Sequence, residues 1–413
     1  MGPPPLSYHG PMDSEDTAGR RAGPREARGP GGPAAAARVP GFDLARALAV
    51  LGMVVVNFKL VLTADGGGAG DPAWLVALTS LDGRAAATFV VLAGIGVSLG
   101  SRRARLAQGP EAAPARALAR RRLLARAALL FVVGLAYLPV WPADILHVYG
   151  VFLALGAALL FASTRALLGA AAGLVLLFPL LAAVLDYEAG WDWETLEYEG
   201  LWTAAGMVRH LVFNGFHPVV PWAAFLLVGM GLGRLDWTRP GLSARVALGG
   251  AAGLLAASLP GWLLGDAAAG LVDPEARELA TLLLGTHPMP PLPLYLVSGT
   301  SAACSVIGLA VLVTPRLGAA ARPLVATGQL ALTLYVAHVV LGIGAFEVLG
   351  LLGGLSLGQA TAAALAFFAL AVLSATLWLR RFSRGPLEAA FRRVVERVAP
   401  AGTRPGAGGE RGA

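Results

Sequence analysis

From Leu44 onward the chain reads as long apolar runs separated by short polar segments. A bilayer core of about 30 Å takes roughly 20 helical residues to cross, and the runs recur at that length. Ten spans are expected, at 44–63, 82–100, 121–139, 145–163, 166–186, 217–234, 243–265, 293–314, 323–346 and 358–380. The runs are continuous rather than alternating, which argues against transmembrane strands. A backbone in lipid must satisfy its own hydrogen bonds, and helices do so. The expected fold is therefore all-α, a polytopic transmembrane helix bundle with both termini cytoplasmic. Small residues four apart, Gly169 with Gly173, Gly229 with Gly233 and Gly249 with Gly253, suit close helix crossings.

Outside the runs, residues 1–40 hold eight prolines and seven glycines. Such a segment buries too little surface to offset its chain entropy, so it reads as a disordered tail. No apolar stretch follows its basic residues, Arg20-Arg21 included, so neither a secretory nor a twin-arginine signal is expected. The organisation is a basic Pro/Gly-rich tail at 1–40, a membrane domain at 41–382 and a basic tail at 383–413.

Composition strengthens this picture. Of 413 residues, 56% are hydrophobic and 14% charged, against about 25% charged in soluble domains. The single Cys304 excludes an internal disulfide. The net charge of +7 raises nucleic acid as a partner, but position decides otherwise. On the ten-span topology, 27 of the 32 basic residues fall on the inner segments and span ends, while acids gather outside at 65–71, 186–199 and 266–278. That is the positive-inside distribution. Nucleic acid is left without support, and the expected partners are a plasma or inner-membrane bilayer and a second copy in a homo-oligomer.

The same topology places the chemistry-bearing residues. Apart from His9 in the tail, all the histidines fall on the outer side: His147, His210, His217, His287 and His338. His338 lies about 15 residues into span nine, roughly 22 Å up a continuous helix, and Asn57 reaches a similar height in span one. Asp82 and Arg84 open span two, and Asp144 stands three residues before His147, on one face of a helix starting there. A carboxylate beside an imidazole fixes its tautomer and raises its basicity, as a general base requires. Plainer readings stand beside these. His210 and His287 fit loop anchors, Asp43 with Arg46 and Asp82 with Arg84 fit local ion pairs, and the run from Trp191 to Trp202 fits an interfacial aromatic belt as well as a sugar-stacking surface. Gly94-Ile95-Gly96 follows no strand and is no dinucleotide fingerprint.

Several stretches, in order, are similar to one family. They are Asp43 to Asn57, Gly83-Arg84 to Gly96, Asp144-Ile-Leu-His147-Val-Tyr149-Gly150, Pro221-Trp222 to Trp237, Gly328 to Tyr335, and Arg381 to Glu388. Together they resemble the YeiB-like bacterial membrane proteins, grouped with heparan-α-glucosaminide N-acetyltransferase-like proteins in a transmembrane acyltransferase superfamily. The resemblance implies transfer of an acyl group, acetyl above all, from acyl-CoA as co-substrate to a small-molecule, glycan or envelope acceptor outside the membrane, with no bound cofactor or metal. The eukaryotic members look to carry a catalytic histidine soon after the span-one Asn, and here none occurs between Asn57 and His147. His147 or His338 would then act as base in direct transfer. Asp144 would orient His147, and Asn57 and Tyr335 would bind the acceptor or polarise the thioester carbonyl. Arg46 and the cytoplasmic arginines would attract the donor's phosphates, with Asp43, Asp82, Arg84, Tyr149 and His217 as further substrate-binding candidates. The alternative is a transporter or flippase of a small envelope metabolite, in which the same polar groups form a binding site.

Overall fold

A computed structural model describes Gly2 and residues 38–63, 70–193 and 195–400. Most of the expected 1–40 tail, and residues 401–413 of the C-terminal one, lie outside those residues.

The apolar runs become helices: α1 (Pro40–Leu62), α2 (Ala73–Thr79), α3 (Arg84–Gly100), α4 (Arg102–Leu106), α5 (Ala112–Tyr137), α6 (Leu146–Ala158) and α7 (Thr164–Ala182). A two-residue hairpin, β1 (Trp191–Asp192) with β2 (Glu197–Tyr198), follows them, and then α8 (Ala204–Arg209), α9 (Val219–Leu232), α10 (Leu242–Ala269), α11 (Pro274–Leu284) and α12 (Pro293–Leu317). The remainder is α13 (Arg322–Gln329), α14 (Ala331–Ala337), α15 (Gly344–Val348), α16 (Leu357–Arg381) and α17 (Pro386–Val398). Helix α1 packs on α3, α12, α13 and α16, and the pairs α5–α6 and α7–α9 join the bundle through α3 and α12. Leucines such as Leu176 and Leu180 on α7, Leu263 on α10 and Leu370 on α16 stay exposed, as a lipid-facing surface requires.

A helix stands at each of the ten expected positions, but not all are long unbroken crossings. Among the described residues, seven helical stretches are long and apolar enough to cross a membrane, and an eighth is formed if Ala204–Asn214 and Val219–Leu232, bent by 51°, act together. Helix α5 has the length but carries Arg116, Arg120, Arg121 and Arg122 in its first half and Arg126 just beyond it. The run expected over 145–163 yields only the 13 residues of α6, about 20 Å of helix. A turn follows, and the Ser163 hydroxyl, accepting from the Ala166 N–H, starts α7 within the expected run.

The run at 323–346 is likewise divided. Helix α13 ends at Leu330, α14 begins at Ala331, and a π-helical turn follows over His338–Ile343. The restart would leave the first N–H groups of α14 unpaired. Glu388 of α17 supplies the acceptors, taking the Leu332 and Thr333 N–H groups at 2.9 and 3.1 Å and the Thr333 hydroxyl at 2.6 Å. Glu388→Ala is expected to cost about 1–2 kcal/mol, the scale of a lost helix cap, read as a lower Tm of the detergent-purified protein. An unchanged Tm would mean that water replaces the carboxylate.

Close crossings occur where side chains vanish. A Cβ on Gly94 would fall 2.1 Å from the Leu226 carbonyl oxygen, and one on Gly229 would fall 2.1 Å from that of Val91, so α3 and α9 touch backbone to backbone. Of the glycine pairs singled out by spacing, Gly229 and Gly233 thus sit in a crossing. Gly169, Gly173 and Gly249 face open space, and Gly253 meets Ser301.

Candidate active site

Asp144 lies in the turn before α6 and His147 is that helix's second residue. Both are buried, at 1% and 0% exposure. One carboxylate oxygen of Asp144 accepts from the backbone N–H of His147 at 3.2 Å and from its Nδ1 at 3.0 Å. A carboxylate only accepts, so Nδ1 carries the proton and Nε2 a free lone pair. The other oxygen accepts from the Tyr335 hydroxyl at 3.1 Å, whose own oxygen accepts from the Ile145 N–H at 3.2 Å. The dyad is therefore clamped from α14 and cannot turn without breaking buried hydrogen bonds. Gly134 makes room for it, because a Cβ there would lie 2.1 Å from the His147 backbone nitrogen.

His147 Nε2 has no hydrogen-bond partner among the described residues. Its ring stacks on His210, with centroids 5.7 Å apart and planes 22° apart, and His210 Nδ1 is also without a partner. Buried unpaired nitrogens of this kind ask for a ligand or water. His217 Nδ1 makes a third, within electrostatic reach of both rings, and its imidazole meets the Trp222 ring edge to face at 4.6 Å.

A cavity of about 600 Å³ opens beside His210, walled by Leu138, Pro142, Trp191, Tyr198 and Trp202. Its aromatic wall belongs to the segment that fitted an interfacial belt and a sugar-stacking surface alike. Trp191 and Tyr198 turn inward, held by Asn214, while Trp193 and Trp202 stay exposed. The Asn214 side-chain amide donates to the carbonyls of Tyr187 and Ala189, its oxygen accepts from the Tyr198 hydroxyl, and its backbone carbonyl accepts from the Trp191 indole at 2.6 Å. Burial raises the Tyr198 phenol above its ordinary value, an effect that the Asn214 bond opposes. Asn214→Ala is expected to release the hairpin, cost about 1–3 kcal/mol per polar group left unpaired and red-shift tryptophan emission. A wild-type spectrum and Tm would show that aromatic packing alone holds the wall.

The remaining candidates sort by distance from this centre. Asn57 Nδ2 donates to His338 Nε2 at 2.8 Å, and His338 Nδ1 donates to the Tyr335 carbonyl, so both nitrogens of that imidazole are engaged. Asn57 is thus bonded to His338 and His338 to the Tyr335 main chain, while the Tyr335 hydroxyl holds Asp144 and through it His147, whose ring stacks on His210. Of the two base candidates, His147 has the free nitrogen. Tyr335 faces Asp144 rather than an open cavity, and the Tyr149 hydroxyl donates to the Phe89 carbonyl at 2.8 Å, tying α6 to α3. Asp82 and Arg84 do not pair with each other. Lys59 bridges both oxygens of Asp82 at 2.8 Å, and Arg84 reaches Ser298 and Thr286 at 3.0 and 2.8 Å. Asp43 and Arg46 pair with each other at 2.6 Å near the start of α1 and make no hydrogen bond to the dyad. His210 and Asn214 are the site residues that sequence reasoning passed over, His210 having been read as a loop anchor.

Residues 38–260, more than half of the chain, match the family model described as heparan-alpha-glucosaminide N-acetyltransferase, catalytic. The chain belongs to the heparan-α-glucosaminide N-acetyltransferase-like family. A second model, described as protein of unknown function (DUF418), matches residues 234–397 and agrees with the YeiB-like branch of that acetyltransferase-like family. No curated protein and no solved structure matches the chain. Asn57, Asp144, His147, His210 and Asn214 fall within the catalytic match of this acetyltransferase-like protein, whereas Tyr335, His338 and Glu388 fall within the second. The clamped dyad is assembled from both.

Proposed function

We propose that this membrane protein transfers an acetyl group from acetyl-CoA to a hydroxyl or amine of a glycan or envelope acceptor, with His147 as general base. The acceptor occupies the aromatic cavity, whose indole and phenol rings suit the apolar face of a sugar, and it meets His210 first. His147 Nε2 takes the proton from the acceptor O–H or N–H as the new bond to the acyl carbon forms. The C–S bond of the thioester then breaks, and His147 returns the proton to the departing thiolate. Asp144 keeps the imidazole in the required tautomer and stabilises its protonated form. No acyl-histidine is formed, and transfer proceeds within a ternary complex. The arginine-poor end that carries the site is extracytoplasmic by the positive-inside rule, in agreement with an acceptor outside the membrane.

The observation that carries this reading is the unpartnered Nε2 of His147, its ring locked through Nδ1 by Asp144, in a chain of an acetyltransferase-like family. The test is thiol release from acetyl-CoA by the purified protein with amino-sugar and glycan acceptors. Acceptor-dependent release supports transfer; release that ignores every acceptor, or none at all, contradicts it. The 51° break between Ala204–Asn214 and Val219–Leu232 favours a second reading, since transporters build their binding sites from discontinuous helices. On that reading, solute crosses proteoliposomes without an acyl donor and no thiol appears.

A further inference from the structure

The opposite end of the bundle, rich in arginine, holds a second cavity of about 240 Å³, bordered by Arg105, Arg116, Phe161, Ala162 and Arg234. Two of these guanidinium groups are anchored by main-chain carbonyls. Arg105 donates to the Ser98 carbonyl at 3.1 Å, and Arg234 donates to the Ala162 carbonyl at 2.8 Å and to the Thr164 hydroxyl at 3.2 Å. Their positions are thereby fixed, yet Arg105 Nε and Arg234 Nε and Nη2 are buried and have no partner among the described residues. No carboxylate lines the cavity. The nearby acid, Asp236, is taken up by Thr238 at 2.6 Å and by Arg239 at 3.6 Å. Burial first, and then the like charges of Arg234 and Arg102, push the Arg105 group below its ordinary value. Arg116 and Arg120 add cations over the Phe161 ring, at 5.7 and 5.5 Å from its centroid.

Partly buried like charges held together without a counterion are costly, and unpaired guanidinium donors match the oxygens of a tetrahedral anion. We infer that Arg105 and Arg234, with Arg116 at the rim, form a binding site for a phosphate group. A carboxylate offers only two oxygens, fewer than several N–H donors from different helices can use. The phosphate arrives on an anionic lipid headgroup of the adjoining leaflet or on a soluble phosphate ester, and the chemistry of recognition is the same. The inference uses none of the residues around His147, and it narrows the attraction of the donor's phosphates by the cytoplasmic arginines, expected from the sequence, to one cavity.

Two arms separate the sources. In the first, the full-length protein in neutral detergent is titrated with sodium pyrophosphate at constant ionic strength. In the second, it is placed in nanodiscs of phosphatidylcholine with rising phosphatidylglycerol. At least one arm is expected to give a saturable rise in Tm, with the half-saturation point at least tenfold higher in Arg105→Gln and in Arg234→Lys. Arg234→Lys keeps the charge but loses the planar donor fork, and it holds the test open if Arg105→Gln folds poorly. Arg103→Gln, an exposed neighbour that does not border the cavity, controls for diffuse attraction and keeps the wild-type titration. A rise with phosphatidylglycerol alone assigns a lipid headgroup, a rise with pyrophosphate alone assigns a soluble ester, and a rise with both assigns a site open to either. No rise in either arm, or equal weakening in Arg103→Gln, would overturn the inference.

Discussion

His147→Ala is expected to lower acceptor-dependent thiol release by about 10²–10⁴-fold, the contribution of a positioned general base. The loss should fall on kcat, because the cavity wall that holds the acceptor, from Trp191 to Trp202, is untouched. The substitution also strips Asp144 of its Nδ1 partner in a buried site, so a drop of about 1–3 kcal/mol in stability accompanies it. Asp144→Asn separates the two effects. It keeps the volume, but it removes the negative charge that stabilises the protonated imidazole and turns one of the two oxygens that accept from His147 and Tyr335 into a donor. A loss of similar order with a nearly unchanged Tm is the expected outcome. Activity within about threefold of wild type in both variants, on the scale of RT ln 3, would remove His147 as base.

The second large effect comes from a residue with no side chain. Gly134→Val is expected to disable the protein, since even the first added carbon would lie 2.1 Å from the His147 nitrogen. Helices α5 and α6 must part to admit it. Overpacking of this kind costs about 1–3 kcal/mol or more. Because the displaced strut carries His147, activity should fall further than stability alone explains. A misplacement of about 1 Å at a catalytic group costs on the order of 10²-fold in rate. Gly134→Ala should show the same pattern in milder form. Gly249→Ala, whose added carbon meets nothing within 4 Å, should leave both Tm and activity unchanged. Equal behaviour of the Gly134 and Gly249 variants would show that the α5–α6 contact yields freely.

The Asp144–His147 partnership was legible in the sequence because three-residue spacing at a helix start puts the two on one face, and local geometry does the rest. The apolar runs were legible for the same reason, since lipid leaves a chain few choices. What stayed hidden depends on distant contacts. His210 and Asn214 sit on a short π-helical turn, and nothing periodic in the chain says that the hairpin at 191–198 folds back over it. The break at His338 was invisible because the residues around it are apolar on both sides, and that at Leu330 because Glu388, which caps the restart, is far off in sequence. Asp82 and Arg84 show a third case. Gly83 between them takes a left-handed φ of 70° and starts α3, so neighbours in sequence turn toward different helices.

The central claim is that the free nitrogen of His147 faces the reacting acyl group. Electron cryomicroscopy of the protein with a non-transferable acyl-CoA analogue and a glycan acceptor tests it most directly. The account predicts the acceptor in the aromatic cavity and its nucleophilic atom within hydrogen-bond reach of His147 Nε2, directly or through one water, with the thioester carbonyl alongside. An analogue seated elsewhere, with the His147 and His210 rings still stacked and closed off from both ligands, would contradict it.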